Sequence, residues 1–346
     1  MTGNGHLDIG PLRFALRTDR SAPVRYADPA YTGFFSTSGE FNIQYSIFNI
    51  QHSRVEGLAR WPSAPGCEDF DIRHSTFDIQ PSREAVACAP PPVHPLLELP
   101  VAITEGVGEI PATPPLWRAG NHWAVWDDGA ELAFHVGLEA PEAVRASCRV
   151  AKNVSRAELT VHPSAWKDGI CQSPLKYPLD QILSWGLLSK IGGALLHAAV
   201  AVKDGVGIVF AGRSGAGKST LAGLCHAAGW RILNDDRAVV FRRGGEWRVA
   251  GTPWHGSGRF AEAAEVPLGG VYLLKQAREN RIEPLAAAQA RLALLDVAAV
   301  PWFAEEWSQG MLDGLDRLVR EAKAAQFHFT KTAAAVDALA GEAAWT

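Results

Sequence analysis

The sequence predicts an α/β (α+β) protein in which a smaller β-rich N-terminal domain precedes a domain with a mixed β-sheet. Three observations support this class. Short segments of alternating apolar and polar residues occur in the N-terminal half. From residue 177 onward, apolar residues recur at helical spacing and in short continuous runs, and a glycine-rich turn at 212–219 lies between a strand and a helix. We therefore expect two domains, residues 1–175 and 176–346.

Composition and charge exclude several classes of protein. The 346 residues are 47% hydrophobic and 20% charged, with a net charge of −4, so no basic field favours nucleic acid or anionic membrane. No apolar run reaches the ~18–20 residues of a membrane helix, and the N-terminus lacks the apolar core of a secretory signal. The five cysteines form no CxxC pair. We expect a cytoplasmic protein with no membrane and no nucleic-acid partner.

The N-terminal half contains several predicted strands, two of which form a hairpin. The turn Asp127-Asp128-Gly129 separates the hairpin strands, because Asp-Gly favours the positive φ of a tight turn. Three histidines on or beside these strands lack metal-ligand spacing, and we interpret them as packed or surface residues: His122, His135 and His162. The predicted strands are LRFALR (12–17), HWAVW (122–126), ELAFHVG (131–137) and AELTVHP (157–163).

A repetitive segment interrupts this half. Residues 41–54 (FNIQYSIFNIQHSR) and 70–83 (FDIRHSTFDIQPSR) are each a doublet of a seven-residue unit, too short for a solenoid repeat. Proline-rich stretches follow. We expect residues 41–115 to be a weakly ordered insertion, and the N-terminal domain around it to be a platform for substrate docking.

The C-terminal half alternates predicted helices and strands. A helix is predicted at 179–192, with Asp180 in its first turn and glycines at its end. The other predicted elements are strands at 194–202, 207–212 and 271–277 and helices at 220–228, 309–325 and 331–341.

One motif in this half points to phosphate chemistry. Residues 212–219, GRSGAGKS, match G-x-x-x-x-G-K-[ST] in full, after a strand and before a helix. Glycines let consecutive N–H groups cradle phosphates, Lys218 can reach the β/γ oxygens, and Ser219 can ligate Mg²⁺. We predict that ATP is bound by Gly212, Arg213, Ser214, Gly215, Ala216, Gly217, Lys218, Ser219 and Thr220.

Two adjacent carboxylates follow the motif. The segment WRILNDDRAVVF (230–241) predicts a short strand that ends at Asp235 and Asp236 and a second strand after them. A carboxylate at a strand end beside a phosphate loop can hold Mg²⁺, and a second one can accept the proton of an attacking hydroxyl. The alternative is a solvated Asp-Asp turn.

These residues resemble the core of HPr kinase/phosphorylase and its relatives. His197 lies fifteen residues before Gly212, and Asp235 lies seventeen residues after Lys218, in the family's register. The resemblance covers residues 177–277 and implies the fold of the phosphoenolpyruvate-carboxykinase superfamily. It implies that Asp235 is the general base, that Asp236 helps to hold Mg²⁺, and that His197 lies near the γ-phosphate. A buried strand histidine with no catalytic part is the alternative for His197.

The chain also departs from that family. The family's downstream signature, with its Mg²⁺-binding glutamate and arginine loop, is absent, and residues 251–256 read GTPWHG instead. This block resembles the branch encoded beside peptide natural-product genes, including lasso-peptide tailoring kinases, which phosphorylate a serine of a precursor peptide. Thr252 and His255 could contact the acceptor or shape a turn before Trp254.

The leading functional expectation is an ATP- and Mg²⁺-dependent serine kinase acting on a peptide or protein, with Lys218, Asp235 and His197 in the catalytic site. Two alternatives remain: a small-molecule hydroxyl kinase and a non-catalytic nucleotide sensor, which would gain nothing from a second carboxylate. The resemblance leaves a homo-oligomer open.

Overall fold

The alternating segments of the N-terminal half form a mixed nine-stranded sheet. The computed structural model describes residues 4–18, 22–37, 95–138 and 144–342. The sheet order is β4-β1-β2-β5-β10-β9-β8-β7-β6, and β11, β12 and β3 form a small second sheet. The elements of this half are β1 (Asn4–Ile9), β2 (Leu12–Thr18), β3 (Val24–Arg25), α1 (Pro29–Thr32), β4 (Phe35–Thr37), β5 (Leu97–Glu105), β6 (Trp117–Ala119), β7 (Trp123–Asp128), β8 (Glu131–Val136), β9 (Ala146–Ala151), β10 (Ala157–Val161), β11 (Trp166–Lys167) and β12 (Ile170–Gln172).

The strands predicted in this half are confirmed. β2 and β10 fall on the alternating segments, and β7 and β8 pair antiparallel across the Asp-Asp-Gly turn, where the amide of Gly129 bonds to the Asp127 carboxylate. The alternation is clearest in β10, where every second residue is buried, whereas β7 and β8 are buried on both faces over most of their length.

The insertion expected at residues 41–115 extends too far at its C-terminal end. β5 lies within the expected 41–115 segment, yet it pairs in parallel with both β2 and β10 in the middle of the sheet and buries Leu99, Val101 and Ile103. Residues 41–94, with the seven-residue repeats, lie outside the described residues. The ordered sheet therefore resumes well before residue 115.

The C-terminal half is built on a second large sheet of eight strands. Its order is β14-β13-β16-β17-β18-β20-β19, with β15 paired to β13. β14 also pairs in parallel with β18, so five of the strands close a ring of pairings. The strands are β13 (Ala194–Lys203), β14 (Val206–Ala211), β15 (Arg231–Asn234), β16 (Arg237–Arg243), β17 (Glu246–Ala250), β18 (Glu265–Gln276), β19 (Arg281–Pro284) and β20 (Ala324–Phe329).

The strands β15 and β16 follow one another in the sequence and pair with successive parts of β13. β15 pairs antiparallel with the C-terminal part of β13, at Val200–Val202, and β16 pairs with its N-terminal part, at Ala194–His197. Asp235 and Asp236 lie at the break between the two strands. The pairing of Val200 with Asn234 and of His197 with Arg237 keeps one register across this break, and the irregularity in the pairing lies before Asn234, so the chain does not reverse at Asp235 and Asp236.

Five helices pack on these strands, and the mixed α/β class is confirmed. They are α2 (Leu179–Ile191), α3 (Lys218–Ala227), α4 (Ala287–Leu295), α5 (Glu305–Glu321) and α6 (Ala334–Ala340). The helix expected at 309–325 begins and ends earlier, because residues 324–329 pair with β18 as the strand β20. Within the described ranges, no helix is long and apolar enough to cross a membrane.

The apolar core is continuous across the predicted domain boundary at 175/176, which stays a prediction. One cluster joins strand residues of the N-terminal sheet, such as Phe14, to residues of α2, such as Leu183, and to Phe241 of β16. α2 is buried on most of its surface and contacts both α5 and strands of both sheets.

A buried carboxylate lies inside this core. Asp180, at the start of α2, is fully buried and accepts hydrogen bonds from the Tyr31 hydroxyl and, at 2.7 Å, from the Trp254 indole N–H. Burial raises the pKa of Asp180 from 3.8 to about 6, although these bonds oppose the shift. The carboxylate connects the N-terminal sequence, α2 and the segment after β17.

The raised pKa of Asp180 predicts a pH-dependent stability. Because its folded pKa lies above its unfolded value, the proton contributes stability that is complete below about pH 4 and is lost as pH rises through 6. The variant Asp180→Asn keeps an acceptor oxygen but does not titrate. We expect the unfolding free energy of wild type relative to Asp180→Asn to rise by about 1 kcal/mol between pH 7.5 and pH 5. Urea denaturation at both pH values measures this, and a constant difference would contradict it.

Candidate functional site

The glycine-rich motif forms a tight loop between β14 and α3. Ala211 ends β14 and Lys218 begins α3, so Gly212–Gly217 make the whole turn. Gly217 has a φ of 101°, and a Cβ there would lie 2.6 Å from a carbon of the Phe329 ring. Gly215 has a φ of 80°. Residues other than glycine rarely adopt either conformation, so the loop backbone explains why glycine occupies these two positions.

The first turn of α3 faces this loop with unused donors. Gly217, at the N-cap, provides no side-chain cap, and Ser219 and Thr220 lie in the first turn. Unsatisfied N–H groups and the helix dipole make such an N-terminus a place where an anion can bind. Gln276 steadies the loop, because its side-chain amide donates to the Gly215 carbonyl at 2.7 Å.

Lys218 points back into the loop. Its side chain is almost fully buried, and its ammonium donates to the carbonyls of Gly212, at 2.9 Å, and Arg213, at 3.2 Å. Burial, together with the charge of Arg237, lowers the pKa of Lys218 to about 8, although the charges of Asp236 and Asp235 oppose this shift. A phosphate in the loop would favour the charged form of this lysine.

The Asp235 carboxylate is held by two backbone amides. Asp235 is 1% exposed; Gly256 N–H donates to its Oδ1 at 2.8 Å and Gly258 N–H to its Oδ2 at 2.6 Å. A Cβ on Gly258 would lie 2.7 Å from the same Oδ2, and one on Gly256 would lie 3.0 Å away. The segment 256–258 therefore lies directly on the carboxylate, and small residues are needed there.

Asp236 turns the other way, toward β13. Its Oδ1 lies 3.0 Å from His197 Nε2, and its Oδ2 lies 3.4 Å from Arg237 Nε. Burial alone would raise the pKa of Asp236, but the hydrogen bond from His197 and the positive charges of Arg237 and Lys218 outweigh it and lower the pKa below 3.8. Asp236 is thus ionised at neutral pH and half-buried, as a carboxylate ligand of Mg²⁺ would be.

His197 lies between the loop and the aspartates. Its carbonyl accepts the Gly212 amide at 3.3 Å, and the Ala198 amide donates to the Asp236 carbonyl at 2.9 Å. Because His197 Nε2 faces a carboxylate, that nitrogen carries the proton. The structure therefore brings the loop, His197 and Asp236 into one hydrogen-bonded group.

The residues Thr252 and His255 shape the chain around this site. Thr252 is fully buried and donates to the Arg237 carbonyl at 2.7 Å, which ties the segment after β17 to the strand that follows the aspartates. The His255 side chain makes a hydrogen-bond contact within its own turn, with Nδ1 3.0 Å from the Gly256 carbonyl oxygen. In this conformation both side chains support the turn before and after Trp254.

The two amides that hold Asp235 were not predicted from the sequence. Backbone N–H groups carry no residue-type signal, and the only indication in the sequence is the pair of glycines in His-Gly-Ser-Gly, 255–258. In the part of the chain that the structure describes, no group of three or more His, Cys, Asp or Glu side chains could hold a metal ion. Asp236 and the Ser219 hydroxyl are the side chains here that could join phosphate oxygens and water around a Mg²⁺ ion.

One family model matches a stretch of the chain that contains these residues. A family model described as SynChlorMet cassette protein ScmC matches residues 185–328, which contain the loop, His197 and both aspartates. The solved structure of the HPr(Ser) kinase/phosphatase from Coxiella burnetii is weakly similar, with a TM-score of 0.25 and 11% identity, over 43% of this chain and 98% of that chain. No curated protein matches the sequence.

The close approach of the 256–258 segment to Asp235 predicts a sharp difference between neighbouring substitutions. Gly258→Ala places a methyl group against a buried carboxylate, so the amide must move off Oδ2 and we expect a loss of about 1–3 kcal/mol. Ser257→Ala, at the exposed residue between the two glycines, should cost less than about 0.5 kcal/mol. Urea denaturation of both variants measures this. Equal stabilities would show that the amide contacts do not hold Asp235 in solution.

Proposed function

We propose that the protein is a kinase that transfers the γ-phosphoryl group of ATP, with Mg²⁺, to a hydroxyl group, foremost a serine, of a peptide or protein. The observation that carries the proposal is the hydrogen-bonded group formed by the Gly212 loop, His197 and Asp236, with Asp235 beside it. A phosphate loop alone would support binding. A phosphate loop with two carboxylates at its edge supports transfer.

In this proposal each residue has one role. The loop amides and the Lys218 ammonium hold the β- and γ-phosphates, and His197 keeps Asp236 in place and ionised. When bound by Asp236 and Ser219, Mg²⁺ supplies charge neutralisation at the phosphates. Asp235 accepts the proton of the attacking hydroxyl while the new P–O bond forms and the bond to ADP breaks, ADP leaving with the electron pair.

Burial of Asp235 adds a requirement to this mechanism. A general base must come within hydrogen-bond distance of the proton that it takes. Because Asp235 is 1% exposed and both of its oxygens accept amide hydrogens, the acceptor reaches it only if residues 256–258 move aside. In the conformation described here, residues 256–258 cover the Asp235 carboxylate.

The class of acceptor is supported by two features. A β-rich N-terminal half with a nine-stranded sheet is suited to binding an extended chain, and a match to a cassette protein is consistent with a natural-product gene cluster. We place the reaction in the cytoplasm, where ATP is available.

Intact-mass spectrometry tests the proposal. Serine-containing peptides, including precursor peptides encoded beside the gene, are incubated with ATP, Mg²⁺ and the protein. We expect wild type to add one phosphoryl group and Asp235→Asn to do so about 10²–10⁴-fold more slowly. Asp204→Asn, at an exposed turn after β13, is the matched control and should retain the wild-type rate.

The outcomes separate the alternatives. Transfer at an equal rate by Asp235→Asn would overturn its role as base. ATP binding without transfer to any peptide would overturn the peptide kinase and favour a small-molecule kinase or a nucleotide sensor.

A further inference from the structure

A cavity lies on the face of the nine-stranded sheet that is turned away from the main apolar core. It has a volume of about 620 Å³ and is lined by residues of the adjacent strands β5, β10, β9, β8 and β7 and by the segment 107–113. Trp126 Nε1 donates to the Thr113 carbonyl at 2.8 Å, which fixes that segment against the sheet. Cavities of this volume are typical of ligand sites.

The strand pattern explains why this face is polar. Side chains alternate along each strand, so Val101 and Ile103 point into the apolar core while Ala102 and Thr104 line the cavity. On β10 the same alternation places Glu158 on the cavity side. The cavity is therefore not a gap in the core. It is built mainly from side chains that the sheet directs away from the core, although the core residues Phe134 and Cys148 also contribute to its lining.

Two polar side chains at the bottom of the cavity are more than nine-tenths buried. His135 is 6% and Ser147 is 9% exposed, and His135 Nδ1 lies 2.9 Å from Ser147 Oγ. Among the described residues, His135 Nε2 has no hydrogen-bond partner, although the residue lines the cavity. Burial, and then the charge of Arg149, lowers the pKa of His135, so the ring is neutral at pH 7. A neutral ring nitrogen at this depth can bond a peptide group.

The rim of the cavity is acidic. Its lining includes four carboxylates, from Glu109, Asp127, Asp128 and Glu158, against one guanidinium, from Arg149. Asp127 pairs with Lys152 and Asp128 with Arg149. Over the described part of the chain, Glu109 and Glu158 form no ion pair. The unpaired charge is thus negative, which favours a cationic ligand and disfavours nucleotides and nucleic acid.

From these observations we propose that the cavity binds an extended peptide segment that carries lysine or arginine side chains. We propose further that this segment belongs to the substrate of the proposed kinase, and this second statement rests on the proposed function. The five lining strands span four strand spacings, about 19 Å, which an extended chain of about six residues covers. The cationic side chains meet Glu109 and Glu158, and His135 bonds the main chain. The sequence alone led us to interpret His135 as a packed or surface residue. In this proposal it also binds the peptide.

Binding is measured without ATP, so that it does not depend on transfer. The probe is a fluorescein-labelled hexapeptide with two arginines and a serine, followed by fluorescence anisotropy. We expect saturable binding to wild type, at least about fivefold weaker binding to Glu158→Lys, and little binding of the same peptide with glutamates in place of arginines. Free arginine amide should compete only weakly, since it lacks the peptide chain.

Two further variants make the test specific to the cavity. Ala102→Trp, at an exposed position of the cavity floor, fills the space without changing charge and should also weaken binding. Glu98→Lys, an exposed residue on the same strand outside the cavity, is the matched control and should bind as wild type does. If Glu98→Lys weakens binding as much as Glu158→Lys, or if Ala102→Trp binds normally, the site is overturned.

The two proposals fail in different ways. If phosphoryl transfer proceeds with an unchanged KM in Glu158→Lys and Ala102→Trp, docking at the cavity is wrong and the kinase stands. If the peptide binds the cavity but nothing is phosphorylated, the peptide site stands and the kinase is wrong.

Discussion

The contact between the Asp235 carboxylate and the amides of Gly256 and Gly258 is the constraint on which the site depends. Burying a carboxylate away from water is costly unless hydrogen bonds replace the lost hydration. Here both oxygens receive a backbone N–H, and the approach leaves no space for a side chain on Gly258. The residues between β15 and β16 and the segment after β17 must therefore fold as one unit. With Asp235 held in this way, Asp236 projects to the opposite side, toward His197 and the phosphate loop.

A line of buried hydrogen bonds extends this constraint to the N-terminal sheet. Trp254, two residues before Gly256, donates to Asp180, and the same carboxylate accepts the Tyr31 hydroxyl. Since Asp180 belongs to the core that both halves of the chain share, the position of the 256–258 segment depends on residues of both.

Local signals made most of the site predictable, whereas long-range pairings did not. The glycine-rich loop was evident because its glycines, lysine and serine match one motif within eight residues, and the strands around it are continuous apolar runs. The parallel pairing of β14 with β18 joins residues about sixty positions apart and leaves no local trace. β5 was assigned to the insertion because proline-rich stretches follow the seven-residue repeats, and such composition is typical of weakly ordered chain. β20 was not predicted, because it lies between two alanine- and leucine-rich segments that were predicted as helices. The amides that bind Asp235 were not predicted either, because they belong to the backbone.

The central claim is that the phosphate loop and Asp236 form one magnesium–nucleotide site. Calorimetric titration of ATP into wild type and Asp236→Asn, each with and without Mg²⁺, tests it most directly. Wild type should bind ATP more tightly when Mg²⁺ is present, and Asp236→Asn should lose most of that gain while binding free ATP at least as well, because a negative charge near the phosphates is removed. An equal gain from Mg²⁺ in both proteins, or no ATP binding by wild type, would contradict the account.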